Sequence, residues 1–110
     1  MSVTVNLYYT GKNGAARKFV QEMEKSGIAE KIRQEPGNER YDYFLDLKDP
    51  ERVLLIDQWK DQDAIDVHHQ SEMMAQLAAL RDKYDLHMHV ERFIKDEDGF
   101  SERDRSFVRS

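Results

Sequence analysis

Residues 52–59, RVLLIDQW, put four apolar side chains in a row, Val53 to Ile56, before Asp57, Gln58 and the only tryptophan of the chain, Trp59. A strand with apolar residues on both faces belongs inside a sheet, flanked by other strands, and not at its edge. Just upstream, KDPE (48–51) carries the Asp and Pro of a turn. Before the turn, ERYDYFLDL (39–47) alternates with period two. Tyr41, Tyr43, Leu45 and Leu47 point one way, and Arg40, Asp42, Phe44 and Asp46 the other. The two segments are predicted to pair as a hairpin.

Working outward, VTVNLYY (3–9) alternates Val3, Val5, Leu7 and Tyr9 against Thr4, Asn6 and Tyr8, and DLHMHVERFI (85–94) alternates Leu86, Met88, Val90 and Ile94 against His87, His89, Glu91 and Phe93. Between the strands the period becomes helical. Ala16, Phe19, Val20 and Met23 share a stripe that Gly27 ends, and Ile28 and Ile32 form a short second turn closed by EPGN. From Ala64 to Tyr84 the positions Ile65, Met73, Leu77, Leu80 and Tyr84 predict a helix, capped by Asp61 or Asp63 and broken near Gln70 and Ser71. The order strand, helix, strand, strand, helix, strand predicts an α+β, ferredoxin-like split βαβ subunit: an antiparallel sheet with its helices on one face. The uncovered face, expected to carry Val3, Val5 and Leu7 or Tyr41, Tyr43 and Leu45, would be an apolar patch too large for a comfortable monomer, so a homodimer joined through its sheets is expected.

At 110 residues the chain is the size of one domain, expected over residues 1–95, with a charged tail over 96–110 that reads as mobile or as an arm that orders on a partner. No apolar run nears the ~18 residues of a membrane span, and MSVTVNLYY lacks the basic and apolar regions of a signal peptide. Without cysteine there is no disulfide, thiolate metal site or cysteine nucleophile, which fits the cytoplasm. The net charge of −5, 17 basic against 22 acidic residues, argues against a nucleic-acid partner.

The chemistry-bearing residues are few. His68 and His69 follow Trp59 on the predicted helix, about 100° apart, so one is expected to face a pocket and the other solvent or the sheet edge. An imidazole near neutrality serves a structural hydrogen bond as well as proton transfer. Asn6 lies on the less apolar face of the first strand, where an amide needs a partner or a ligand. Trp59 suits a core as readily as a pocket wall, and Met73 and Met74 with Leu77 form a stripe that suits ordinary core as well as packing against a flat ligand, with Met73 the expected wall residue. His87, His89 and Glu91 share a strand face but extend too far along one strand to converge, so no metal site is expected.

Three stretches, EPGNERYDYF, VLLIDQWKDQDAIDVHHQS and HVERF, are similar to the antibiotic biosynthesis monooxygenase family, most of all its branch named for quinol monooxygenases, over residues 3 to 95. The resemblance implies a dimeric α+β barrel, with a pocket between sheet and helices where cofactor-independent members oxidise aromatic polyketides or quinols with molecular oxygen. Of the family's site residues, Trp59 matches the tryptophan at the strand end, His68 the helix histidine, and Asn6 the strand amide. Haem-degrading relatives carry a histidine where this chain has Ala78, so the resemblance does not extend to haem degradation.

The expectation is therefore a cytoplasmic homodimer that oxidises a small aromatic or quinol-like substrate with oxygen, without cofactor. His68, His69 and Asn6 would be catalytic, and Trp59, Tyr8, Met73 and Leu77 would bind substrate. An isomerase working on a small carbonyl compound, or a carrier of haem or another small ligand, are the alternatives on the same scaffold.

Overall fold

The computed structural model describes all 110 residues. Four strands, β1 (Val3–Thr10), β2 (Asn38–Leu45), β3 (Arg52–Trp59) and β4 (His87–Ile94), form one antiparallel sheet in the order β2-β3-β1-β4. β3 is internal, as its doubly apolar sequence requires. Helices α1 (Ala15–Lys25) and α2 (Ile28–Arg33) connect β1 to β2, while α3 (Gln62–His69) and α4 (Glu72–Lys83) connect β3 to β4. This is the ferredoxin-like α+β fold. No helix is long and apolar enough to cross a membrane.

The expected break in the second helical segment is real and has a local cause. Gln70 ends α3, and the Ser71 side chain then accepts from the Met74 N–H to start α4, so one turn carries a stop and a new cap. Asp61 caps α3 in the same way through Ala64 N–H.

The register decides which side chains meet. Val3 pairs with Trp59 and with Ile94, Leu7 with Leu55 and Val90, and Tyr41 with Asp57. Because side chains alternate, the row Val3, Leu7, Tyr9, Tyr41, Val53, Leu55 and Trp59 lies under the helices. It packs with Phe19, Met23, Ile32 and Leu77 into the core.

This corrects the expected assignment of the two faces. Val3, Val5, Leu7, Tyr41 and Tyr43 belong to the covered face, and only Leu45, in the same row at the end of edge strand β2, is exposed. The open face instead carries Thr4, Asn6, Tyr8, Phe44, Leu54, Ile56, His87, His89 and Phe93. Both rows contain apolar residues, so alternation separates them without saying which one the helices cover.

Beyond β4, residues 95–110 are exposed throughout and include one turn of helix, α5 (Glu102–Arg105), capped by the Ser101 side chain.

Candidate active site

Between the sheet and helices α3 and α4 lies a cavity of about 340 Å³. Its floor is the inward row of the sheet, Val5, Leu7, Leu55, Asp57 and Trp59, and Ile65, Met74 and Leu77 close it from the helices. Toward edge strand β4 the helices no longer cover the sheet. The β4 lining residues Met88 and Val90 are nearly half exposed, and the cavity opens on that side.

Trp59 ends β3 and α3 begins three residues after it, so the chain folds His68 back onto the indole. The two rings stack with centroids 4.7 Å apart and planes 29° apart. His68 is buried, and its Nδ1 lies 2.8 Å from Glu35 Oε2, whose side chain is only 8% exposed. Glu35 reaches this position from the turn that follows α2. Its backbone carbonyl accepts from Asn38 N–H, and the Gly37 carbonyl accepts from Lys60 N–H at 2.8 Å, tying the turn to the end of β3.

Gly37 is required there. Its φ is +84°, and an added Cβ would lie 2.7 Å from the Cβ of Ala64. The EPG word is thus the device that holds a carboxylate under the histidine.

A buried imidazole beside a carboxylate donates Nδ1–H to it and leaves Nε2 as the free acceptor. Burial lowers the His68 pKa, and the Glu35 hydrogen bond and charge oppose that drop without reversing it. His69 and Arg81 add to the lowering. His68 is therefore a neutral base at physiological pH.

Asp57 is the second titrating group. It stands in the inward row between Leu55 and Trp59, is 8% exposed, and its Oδ1 is buried with no hydrogen-bond partner. Burial pushes its pKa up from 3.8 to about 7; the neighbouring Trp59 N–H and Arg81 temper the rise, and Glu35 adds to it. A carboxyl group near its midpoint at neutral pH, in an apolar cavity that a histidine also lines, is suited to exchanging protons.

Arg81 projects from α4 into the same space. Its Nε and Nη2 donate to the Tyr9 hydroxyl at 3.1 and 2.8 Å, and its guanidinium lies 5.5 Å from the centre of the Tyr9 ring. Burial raises the Tyr9 pKa although Arg81 opposes it, so the phenol stays protonated and serves as a fixed acceptor.

Of the expected residues, His68, His69, Trp59 and Leu77 all line this cavity. The two histidines are 5.8 Å apart by ring centroids, His68 buried and His69 exposed at the rim, so both reach the cavity where only one was expected to. Met74, not Met73, supplies the methionine of the wall.

Asn6 and Tyr8 lie elsewhere. They alternate with Val5, Leu7 and Tyr9 and therefore point to the open face of the sheet, where Tyr8 meets His89 and Arg52. Asn6 Oδ1 is buried there without a partner. The sheet separates both from His68, so Asn6 cannot share a substrate with it inside one subunit. His87, His89 and Glu91 are also on the open face, and no three His, Asp or Glu side chains converge on a metal-sized site.

Sequence reasoning passed over Asp57, Glu35, Arg81 and Tyr9. Asp57 had a visible signal, a carboxylate in the apolar alternating set Val53, Leu55, Trp59. Glu35 had none, because it meets His68 across 33 residues of chain.

The arrangement is a ferredoxin-like α+β domain with an apolar cavity at the tryptophan end of β3. The family model for antibiotic biosynthesis monooxygenases matches residues 2–80, and the chain belongs to that family. Solved structures agree in fold. One described as an antibiotic biosynthesis monooxygenase is 28% identical, with a TM-score of 0.67 over 86% of this chain and 96% of its own. A variant of SnoaB, a cofactor-independent oxygenase from Streptomyces nogalater, is 17% identical, with a TM-score of 0.73 over 87% of this chain and 94% of its own. A conserved protein from Methanosarcina mazei is 20% identical, with a TM-score of 0.75 over 87% and 94%. A search of the curated proteins finds no match.

Proposed function

We propose that the chain is a cofactor-independent monooxygenase that oxidises a small aromatic or quinol-like molecule with molecular oxygen. The observation that carries this reading is a pair of proton-exchanging groups, the Glu35-held His68 and Asp57, whose Oδ1 has no partner, in a mostly apolar cavity of a size that suits a flat aromatic. Such a substrate supplies its own electrons once deprotonated, so the protein needs to bind it, move protons and exclude water.

For a substrate with an acidic CH₂ beside a phenol or carbonyl, as in an anthrone, the steps close as follows. His68 Nε2 takes one proton from the carbon. The carbanion passes one electron to oxygen, and the substrate radical and superoxide combine into a C–O–O⁻ group. The protonated Asp57 donates to the terminal oxygen and gives the hydroperoxide. Asp57 carboxylate then removes the second C–H proton as the O–O bond breaks, and the His68 imidazolium donates to the departing hydroxide. The products are C=O and water, and both side chains return to their starting states. Trp59 and Leu77 hold the ring plane, and His69 borders the entrance.

The active unit in this reading is a cytoplasmic homodimer joined through the open sheet faces. Phe44 and Phe93 are exposed there. Sedimentation at micromolar concentration should give about twice the chain mass, and a clean monomer would remove this part of the proposal.

Oxygen uptake by chelator-treated protein with a panel of anthrones and hydroquinones tests the chemistry. Turnover above autoxidation that drops by about 10²-fold or more in His68→Gln is expected. Proton exchange into a carbonyl substrate with no oxygen consumed would replace the oxygenase by an isomerase.

A further inference from the structure

We propose that the cavity selects aromatic molecules that carry a carboxylate, with Arg81 and Arg92 as the residues that recognise it. The inference rests on the reading of this cavity as the substrate site and extends it to the substrate's charge.

Arg81 is held in place by Tyr9. Two of its three guanidinium nitrogens bond one buried hydroxyl, and Nη1 has no partner in the chain. A guanidinium fixed in this way loses little freedom on binding, which favours a planar oxyanion. Arg92 reaches the cavity from β4, where the register places it opposite Val5 and in the same row as Val90. Neither arginine makes a salt bridge; the basic residues within 4.0 Å of a carboxylate are Arg33, Arg40, His68, Lys83, His87 and His89.

The only carboxylate in the lining is Asp57. Since Asp57 titrates near neutrality and His68 is uncharged, the cavity keeps an excess of positive charge. The chain as a whole carries −5 and repels anions at long range. Two unpaired guanidiniums in an apolar cavity of an acidic protein are a local exception. A ligand with an apolar ring system and one carboxylate meets both features, and a neutral quinol meets only the first.

The test uses two ligands that do not react with oxygen, an anthraquinone carboxylate and the matching hydroxymethyl anthraquinone. Binding is read by quenching of Trp59, the only tryptophan, at pH 8 and low salt. The carboxylate should bind about tenfold more tightly or better, as expected for a charge-assisted pair. Arg81→Gln and Arg92→Gln should each reduce that preference, weakening the carboxylate more than the neutral ligand, and Arg81→Lys should retain part of it. Arg92 is exposed and bonds nothing, so its variant folds even if loss of the Tyr9 bond unsettles Arg81→Gln. Equal affinity for the two ligands, binding of neither, or a preference that survives both substitutions would overturn the proposal. Because neither ligand is oxidised, a protein that consumes no oxygen can still show the preference, and an active oxygenase can still lack it.

Discussion

Replacing Asp57 by Asn should make the protein more stable while weakening its chemistry, and the gain should depend on pH. In the folded chain burial raises the Asp57 pKa to about 7, whereas the unfolded value is 3.8. Below pH 4 the group is protonated in both states and contributes no pH dependence. Between those values the unfolded chain releases the proton and the folded chain keeps it, so rising pH favours unfolding. The gap is about 3 units, which at about 1.4 kcal/mol per unit gives a penalty of about 4 kcal/mol, complete above pH 7. Asn copies the protonated carboxyl in shape and cannot ionise, so Asp57→Asn should escape the penalty. His68 acts in the opposite direction, since its lowered pKa costs stability as pH falls below about 6.5. The difference between parent and variant cancels that contribution. Urea unfolding followed by Trp59 fluorescence from pH 4 to pH 8 is the assay. The variant's advantage should grow from near zero to a few kcal/mol across the range. A difference that stays flat with pH, or a parent that is the more stable at pH 8, would refute the placement of an uncompensated carboxyl beneath the cavity.

Other outcomes follow from the same geometry. Glu35→Gln removes the charge that raises the His68 pKa and weakens the hydrogen bond to it, so the imidazole should titrate at lower pH by NMR, and the acid limb of any activity profile should move with it. Gly37→Ala combines a positive φ with a Cβ 2.7 Å from Ala64, and it should cost about 1–3 kcal/mol in urea unfolding. Leu77→Ala, at a fully buried position against the cavity, should cost about 2–5 kcal/mol by the same measurement. A charge on the open face, Tyr8→Glu, should shift sedimentation toward the monomer and leave the helical circular-dichroism signal intact.

The architecture was legible because period-two and period-3.6 patterns are local: β1, β2, β4 and α1 each contain a clear one, and β3 is marked by an unbroken apolar run. The break at Ser71 was legible for the same reason, since a serine between two helical stripes supplies its own cap. The covered face of the sheet was not. Leu54, Ile56, Phe44 and Phe93 make the outer row nearly as apolar as the inner one, and only three-dimensional placement of the helices decides between them. That ambiguity carried through to the site. Asn6 and His68 looked like partners in the linear sequence, and a one-residue difference in strand parity puts a sheet between them. Tyr8 is excluded from the cavity by the same parity.

The alternation that removes Asn6 also brings in Asp57. Along β3 the inward row reads Val53, Leu55, Asp57, Trp59, and a sequence selected only for a stable core would place an apolar side chain at the third position. Asp57 faces no cation that bonds it, its Oδ1 has no partner, and its retention costs stability at every pH above its unfolded pKa. Two features make the cost useful. Burial in the apolar inward row raises the pKa of the carboxyl to about 7, close to ambient pH. The uncovered side of β4 gives a ligand access to it without unfolding the helices. Stacking on Trp59 and bonding to Glu35 fix His68 in the orientation in which Nε2 is the free atom, so the two proton carriers differ in kind. One is a neutral base with a defined tautomer, and the other is an acid poised near its midpoint. A merely structural histidine would need the Glu35 bond but would gain nothing from a destabilising aspartate in the same cavity, and that difference is why Asp57 supports a chemical role for the site more strongly than His68 does.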